Sequence, residues 1–152
     1  MPEKPRFRDV AVNRRAYHDY FIDETLEAGL VLAGTEVKSL RAGRANLREG
    51  FVRVDGHEAW LENVHISAYE QGGYTNHEPI RPRKLLLHAE EIASLIGKVK
   101  QRGYTLIPIR LYFARNRAKV EIGLGRGKKL YDKRQALAAA DAKREMARAL
   151  RG

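Results

Sequence analysis

The sequence predicts a mainly β protein with two to three short helices, arranged as a small open antiparallel barrel. Several short segments alternate between apolar and polar residues and are separated by turn residues, as in small all-β folds. The segment 88–103 instead repeats its apolar residues at helical spacing. A chain of 152 residues has room for one domain with a modest core.

The first predicted strand follows a polar N-terminal segment. Residues 1–9 are polar, and we expect no regular structure there. Residues 17–22 alternate and predict a strand that places Tyr20 and Ile22 on the same face. The apolar run 27–34 continues this strand.

A short helix and a hairpin are predicted next. Thr35 is a favourable N-cap residue and Gly43 a favourable stop, so a helix is expected over 35–43. Residues 51–64 form two alternating runs around Asp55–Gly56, which is the strongest hairpin signal in the chain.

The middle of the chain combines a loop with the clearest helix. Residues 69–83 contain a Gly-Gly pair and two prolines, which favour a loop. Residues 88–103 predict a helix that ends at Gly103, with acidic residues near its positive N-terminal end. Its apolar positions are Ile92, Leu95, Ile96 and Val99.

Two further strands are predicted to end the sheet. Residues 104–114 and 118–125 are rich in β-branched and aromatic residues, and the short segment 115–117 joins them in a turn. Pro108 lacks a backbone donor, so we expect an edge or a bulge at that position.

The positive charge of the chain is concentrated at its C-terminal end. The formal net charge is +10, and residues 110–152 carry nine of these ten charges. Such asymmetry is typical of proteins that bind a polyanion. A solubilising tail is the alternative, although acidic residues solubilise at least as well and are scarce in this segment.

Several kinds of chemistry are disfavoured by the sequence. Gly127–Lys128 resembles a phosphate-binding loop, but Ile122 stands where that loop needs glycine and Lys129 where it needs a hydroxyl. The five histidines lack zinc spacing, and the three serines lie outside nucleophile motifs. Cysteine is absent, and no long apolar run or signal peptide is found, so we expect a cytoplasmic protein without membrane contact, catalysis or cofactor.

Five motifs occur in order over about 120 residues and together resemble the SsrA-binding protein family, also called small protein B. They are "NRRAYHDYFI", "EAGLVLAGTEVKSLRAGRANL", "RKLLLH", "GYTLIPIRLYF" and "KVEIGLGRGKKLYDKR". The resemblance runs from Asn13 to Arg134 and more loosely beyond.

The resemblance implies an oligonucleotide-binding-like barrel that partners transfer-messenger RNA (tmRNA) in trans-translation, the rescue of stalled bacterial ribosomes. The body, residues 1–124, is expected to grip the transfer-RNA-like part of tmRNA. The basic tail, residues 125–152, is expected to enter the vacant decoding centre and messenger channel. We expect a monomer that needs no cofactor.

The resemblance also implies which residues contact RNA. The family's body positions fall on Asn13, Tyr20, Glu27, Leu86, His88 and Lys119. Relatives often have asparagine where this chain has His88. Residue chemistry alone leaves alternatives open: Tyr20 could be a core aromatic, Glu27 an exposed strand acid and Leu86 a core residue.

The tail positions implied by the resemblance lie in one short basic segment, which is Arg126, Gly127, Lys128, Lys129, Tyr131, Asp132, Lys133 and Arg134. Its glycines suit hinges or close approach to phosphate. From about Arg126 onward we expect the free chain to be mobile and to become helical on the ribosome, because few large apolar residues could dock a helix. A structural ribosomal protein, a general single-strand RNA-binding barrel and a nuclease are the competing hypotheses; the last lacks metal ligands.

Overall fold

The structure is a computed structural model that describes residues 7–73, 76–102 and 104–151. Nine strands and four helices follow one another along these residues. Their bounds are β1 (Phe7–Val12), α1 (Ala16–Asp19), β2 (Tyr20–Leu30), α2 (Gly34–Arg41), β3 (Ala45–Asn46), β4 (Phe51–Asp55), β5 (Glu58–Glu62), β6 (His65–Ile66), β7 (Arg83–Leu86), α3 (Ala89–Arg102), β8 (Thr105–Ala114), β9 (Arg117–Gly127) and α4 (Lys128–Arg151).

Seven strands form one antiparallel sheet in the order β1-β8-β9-β2-β7-β5-β4. The short strands β3 and β6 pair separately. The sheet curls so that β4 contacts β8, but β1 and β4 are not paired with each other, and the barrel is not closed. The predicted mainly β class with helices is therefore confirmed, in the form of an open, curled sheet.

The main core lies on the concave face of this sheet. Leu61, Val64, Ile66, Val120 and Ile122 are fully buried there, and they come from both halves of the chain. The helix α3 closes the core with Ile92 and Leu95, both from its predicted apolar stripe. Removing this apolar surface from water is the main driving force for the fold.

The opposite face, which we call the outer face, is covered at one end by α1. Ala16 of α1 packs there against Ile107 and Ile109 of β8. Room for these side chains comes from glycine in β9, because a Cβ atom at Gly123 would lie 2.8 Å from Ile109 Cδ1. The rest of the outer face carries mostly polar side chains, together with the exposed Leu86.

The beginning of the sheet differs from the prediction. Residues 7–9 were expected to lack structure, but Phe7–Val12 forms β1, which pairs with β8. The predicted strand 17–22 begins only at Tyr20, since α1 occupies the preceding residues. Tyr20 and Ile22 do lie on one face, as predicted, and both pack against the same small cluster.

The predicted helix 35–43 is present as α2, but its first turn is built differently. Its N-cap is Ala33, whose backbone N–H donates to the carboxylate of Glu36 at 2.8 Å. The hydroxyl of Thr35, the predicted N-cap, instead lies 2.9 Å from His77 Nδ1. Gly43 ends the helix with φ of 73°, as predicted.

Two hairpins confirm their sequence signals. Asp55 pairs with Glu58 around a turn in which Gly56 has φ of 59°. In the β8–β9 hairpin, Arg115 and Asn116 both have positive φ, of 50° and 65°, which matches the twist of a two-residue turn. The register shifts just after Pro108, so the bulge expected at this proline is present.

The two long helices follow β7 and β9. The helix predicted over 88–103 is present as Ala89–Arg102, while Gly103 lies outside the described residues. The segment 125–134 contains the end of β9 and the start of α4, with the change after Gly127. The mobility of this segment in the free protein stays a prediction. No helix in the described part of the chain is long and apolar enough to span a bilayer.

Candidate nucleic-acid interface

The exposed end of the outer face carries a network of polar side chains from four adjacent strands. In the sheet register, Glu27 of β2 is opposite Glu121 of β9, and Lys119 of β9 is opposite Tyr112 of β8. Facing residues on one side of a sheet have neighbouring side chains. The network consists of Asp9, Glu27, Arg110, Tyr112, Lys119 and Glu121.

Glu27 is held at the centre of this network. The hydroxyl of the buried Tyr112 donates a hydrogen bond to its carboxylate, and Lys119 Nζ lies 3.9 Å from the other carboxylate oxygen. The Glu27 side chain is nevertheless 48% exposed. A carboxylate has about four acceptor positions, so Glu27 can still accept a hydrogen bond from outside the protein.

Tyr112 is fixed in its role as a donor. Burial, followed by the hydrogen bond and the charge of Glu27, raises the pKa of Tyr112 far above its ordinary value. The guanidinium of Arg110 lies 4.2 Å from the centre of its ring and pairs with Asp9 at 2.7 Å. Tyr112 therefore stays protonated and orients Glu27.

Leu86 and His88 lie beside Glu27 and Lys119, where β7 meets α3. Leu86 is opposite Gly29 of β2 and is 57% exposed, so the alternative of a core leucine is wrong for this position. The backbone N–H of His88 donates to Glu91 Oε1 at 3.0 Å, and its ring is exposed. Four of the six predicted body residues are therefore neighbours.

Asn13 and Tyr20 lie apart from these four residues. Tyr20 pairs with Gly127 at the far end of β9, eight residues beyond Lys119, a separation of roughly 26 Å. Asn13 is only 9% exposed, and its amide donates to the carbonyl of Pro108 at 3.2 Å. The structure thus divides the predicted body site into two groups.

The predicted tail residues begin close to the second group. Arg126 Nε lies 3.4 Å from Asp23, and Lys128 Nζ donates to the carbonyl of Tyr17 at 2.9 Å. Gly127 ends β9, and the first turns of α4 contain the other predicted tail positions. The side chains of Lys129, Tyr131, Asp132, Lys133 and Arg134 lie outside what the structure describes.

The outer part of α4 presents its side chains to solvent. Leu137 and Met146 are 58% and 68% exposed, so they do not dock the helix on the sheet. Arg144 and Asp141 form a long, exposed pair at 3.9 Å. The helix has 24 residues, which corresponds to about 36 Å.

A buried ion pair supports the fold away from these surfaces. Glu36 and Arg83 are both fully buried, and Arg83 Nε donates to Glu36 Oε2 at 2.6 Å. Burial opposes ionisation of Glu36, but hydrogen bonds from the Ala33 N–H, Arg81 and Arg83 hold its pKa below the ordinary value. The other donors of Arg83 reach the carbonyls of Val64 and Pro79. This pair is structural.

Sequence reasoning missed the roles of Tyr112 and Arg110. One signal could have revealed them, since a two-residue turn at Arg115–Asn116 places Tyr112 directly opposite Lys119. Among the described residues, no group of three or more His, Cys, Asp or Glu side chains could hold a metal ion.

An open antiparallel sheet, a polar outer face and a C-terminal helix without a docked apolar side define a small, strongly basic β protein with an appended helix. The family model described as SmpB protein matches residues 10–152. The chain belongs to the SmpB protein family, which confirms the resemblance found in the sequence.

Relatives and a solved structure are similar to most of the chain. The SsrA-binding protein of Roseiflexus castenholzii is 62% identical over 145 residues, covering 95% of this chain and 92% of the relative. That of Desulforudis audaxviator is 60% identical over 152 residues, covering 100% and 99%. A chain solved in "tmRNA-SmpB: a journey to the center of the bacterial ribosome" has a TM-score of 0.65 and 55% identity, covering 78% of this chain and 83% of that one.

Proposed function

We propose that this chain binds tmRNA and acts in trans-translation by delivering that RNA to stalled ribosomes. The observation that carries the proposal is the match to the SmpB family over residues 10–152, with a solved relative described together with tmRNA and the bacterial ribosome. The body binds the transfer-RNA-like part of tmRNA. The tail probes the vacant decoding centre and messenger channel.

The exposed end of the outer face is suited to read a folded RNA through three kinds of contact. Glu27 accepts from a ribose hydroxyl or a base donor, since its acid group would repel a phosphate. Lys119 supplies positive charge for a phosphate, and the exposed Leu86 lies against a sugar or base. Lys119 Nζ already lies 3.9 Å from Glu27 Oε1. When RNA binds, Lys119 must therefore either contact the phosphate and Glu27 together or leave Glu27 for the phosphate.

The tail suits a different kind of contact. Its helix extends about 36 Å from the end of β9, and its basic residues Lys143, Arg144 and Arg148 are exposed. Exposed lysine and arginine side chains attract RNA phosphates over a Debye length and adapt to their positions. We propose that Gly127 to Arg134 enters the decoding centre first and that the rest of α4 follows the messenger channel.

The protein works by binding, without catalysis or a cofactor. It acts in the cytoplasm, where ribosomes are found, and as a monomer. Its partners are tmRNA and the small-subunit decoding centre.

A pull-down followed by sequencing of the bound RNA tests the proposal. We expect enrichment of tmRNA in amounts well below the ribosome content. If four to six phosphates are contacted, log K against log salt should slope by roughly −4 to −5 with the transfer-RNA-like fragment. Equal affinity for unstructured RNA would indicate a general single-strand binder. Stoichiometric recovery with every ribosome would indicate a structural ribosomal protein.

A further inference from the structure

We propose that Arg14, Arg15 and Arg48, which we call the arginine cluster, form a second phosphate site for the same folded RNA. The cluster lies at the end of the sheet where β2 begins, away from Glu27 and Lys119. This inference rests on the proposed function and adds three residues that are not among the RNA contacts implied by the family resemblance. Three observations support it: the turns that carry the arginines are anchored, their charges are not neutralised, and the cluster is separate from Lys119.

The turn that carries Arg14 and Arg15 is fixed by Asn13. The backbone N–H of Asn13 donates to the carbonyl of Ile109 at 2.7 Å, and its side-chain amide donates to the carbonyl of Pro108 at 3.2 Å. The carbonyl of Asn13 accepts from the N–H of Ala16 at 3.2 Å. The two adjacent arginines are therefore presented from a rigid turn.

The turn that carries Arg48 is anchored at the same place. The backbone N–H of Arg48 donates to Asn46 Oδ1 at 2.9 Å, and Gly50 N–H donates to the carbonyl of Leu47 at 2.9 Å. A Cβ atom at Gly50 would lie 2.6 Å from Val64 and 3.0 Å from Pro108. Since this turn also packs against Pro108, the three arginines are held near one another before any ligand arrives.

The charges of the cluster are not neutralised by the protein. Within residues 7–73, 76–102 and 104–151, none of the three exposed guanidinium groups forms an ion pair, whereas Arg110 pairs with Asp9. A depression of about 310 Å³ is lined by Val12, Asn13, Arg14, Arg15, Asn46 and Arg48, so no acidic side chain of the described chain borders it. Arginine matches phosphate oxygens with two parallel donors.

A second depression of about 280 Å³ adjoins the first, and both are bordered by Asn13, Arg15 and Arg48. Asp19 and Glu49 also border this second depression, and Asp19 lies 2.8 Å from the ring of His18. Phosphate therefore suits the acid-free depression, and a ribose or base that can donate hydrogen bonds suits the other.

Because of its position, the arginine cluster would contact a different part of the RNA from that contacted by Lys119. Tyr20, which borders the second depression, is roughly 26 Å from Lys119 along β9. Val12, which borders the first depression, pairs with Arg110 and therefore lies closer to Lys119. Phosphate contacts fix the register and orientation of a nucleic acid rather than its sequence. Two separate contacts would stop a rigid RNA from rotating on the outer face, while an unstructured strand would gain less from them.

The test compares binding of the transfer-RNA-like fragment by Arg48→Ala and by Arg14→Ala/Arg15→Ala. We expect each to weaken binding by roughly fivefold or more and to lower the salt slope by about 1 for each phosphate that the variant no longer binds. Arg44→Ala is the matched control, because Arg44 is similarly exposed but pairs with Glu70 at 3.0 Å. Cluster variants that behave like Arg44→Ala would overturn the proposal.

A tethered cleavage probe tests the location independently, since the chain contains no cysteine. A probe on Glu49→Cys should cut the RNA at positions different from those cut by a probe on Lys84→Cys, which lies on β7. Absence of cuts from Glu49→Cys would refute the second site. If Lys119→Ala leaves affinity unchanged, the outer-face part of the proposed function fails, while the Arg48 comparison still decides the arginine cluster.

Discussion

The outer face of the sheet and the helix α4 use charge in opposite ways. On the sheet, Lys119 is near Glu27, and Arg110 is bound to Asp9 at 2.7 Å. On α4, the described pair of Arg144 and Asp141 is long and about three-quarters exposed. Paired charges hold a fixed geometry that suits recognition of one RNA, whereas solvated charges attract many phosphates without fixed geometry.

The sheet and α4 also differ in how well they are packed. The strands around Glu27 are bonded on both sides within a seven-stranded sheet. The helix α4 exposes Leu137 and Met146, whereas most helical stability in proteins comes from packing of an apolar face. We therefore expect the order of the tail to depend on what it contacts, and the order of the body not to.

Removing the tail tests this comparison with the largest expected effect. Truncation before Gln135 should abolish peptide tagging on stalled ribosomes and leave tmRNA affinity nearly unchanged, because the sheet and its network are kept. Both activities are measured on the same variant. Loss of tmRNA affinity would mean that the tail belongs to the RNA-binding surface and that the comparison is wrong.

A triple substitution separates tail chemistry from tail length. Replacing Asp132, Lys133 and Arg134 by alanine keeps the chain length and raises helix propensity. It should nevertheless abolish tagging, if these three side chains contact the decoding centre as proposed. Tagging that survives both this change and the truncation would remove the segment from the decoding centre.

The buried pair gives the next largest effect, on stability rather than function. Glu36→Gln should lower the free energy of unfolding by about 3–5 kcal/mol, because Arg83 would remain buried without its counter-charge. Urea unfolding measures the loss. Glu70→Gln breaks an exposed pair with Arg44 and should cost less than about 1 kcal/mol.

The same pair predicts how stability depends on pH. The folded-state pKa of Glu36 lies below its ordinary value of 4.5, so its contribution is present above that pH and is lost as pH falls through the folded-state pKa. The stability difference between the wild-type protein and Glu36→Gln should therefore shrink in acid. A difference that grows below about pH 4 would contradict this sign.

Glu27→Gln tests whether the outer face reads specific groups or bulk charge. Loss of an acceptor carboxylate should weaken binding of the transfer-RNA-like fragment by roughly 1–3 kcal/mol. Simple electrostatics predicts tighter binding instead, because a negative charge is removed. Glu24→Gln is the control, as this exposed acid on the same strand pairs with Lys98 at 2.6 Å. Tighter binding by both variants would remove Glu27 from the site.

Tyr112→Phe should have the smallest effect, about 0.5–1.5 kcal/mol in RNA affinity. The change removes the hydroxyl that orients Glu27 and keeps the buried ring. In a Glu27→Gln background the same change should cost much less, since the group that it orients is already altered. Equal losses in both backgrounds would show that Tyr112 acts on stability rather than through Glu27.

Local signals in the sequence predicted the elements whose causes are local. The Asp55–Gly56 turn and the apolar stripe of residues 88–103 depend on neighbours a few residues apart, and both elements were predicted correctly. β1 was missed because residues 7–9 become a strand only by pairing with β8, about a hundred residues later. Long-range pairing leaves no local pattern.

The candidate site likewise contains residues that sequence motifs indicate and residues whose roles depend on long-range contacts. The family resemblance supplied Glu27, Leu86 and Lys119, and the structure places them together. The donor that orients Glu27 can be chosen among seven tyrosines only from the register of β8 on β9, which depends on recognising Arg115–Asn116 as a two-residue turn. Asn13 could not be recognised as an anchor of the arginine cluster, because its partners Pro108 and Ile109 are distant in sequence.

The strand β9 also sets the distance between Lys119 and the start of the tail helix. It runs without interruption from Arg117 to Gly127, is paired with neighbours on both sides and passes directly into α4. The span from Lys119 to the first residue of the helix is therefore set at roughly 30 Å by strand geometry. An RNA bound at Lys119 would be held at this distance from the start of the tail. The position of the RNA on the sheet would therefore fix where the tail can enter the ribosome.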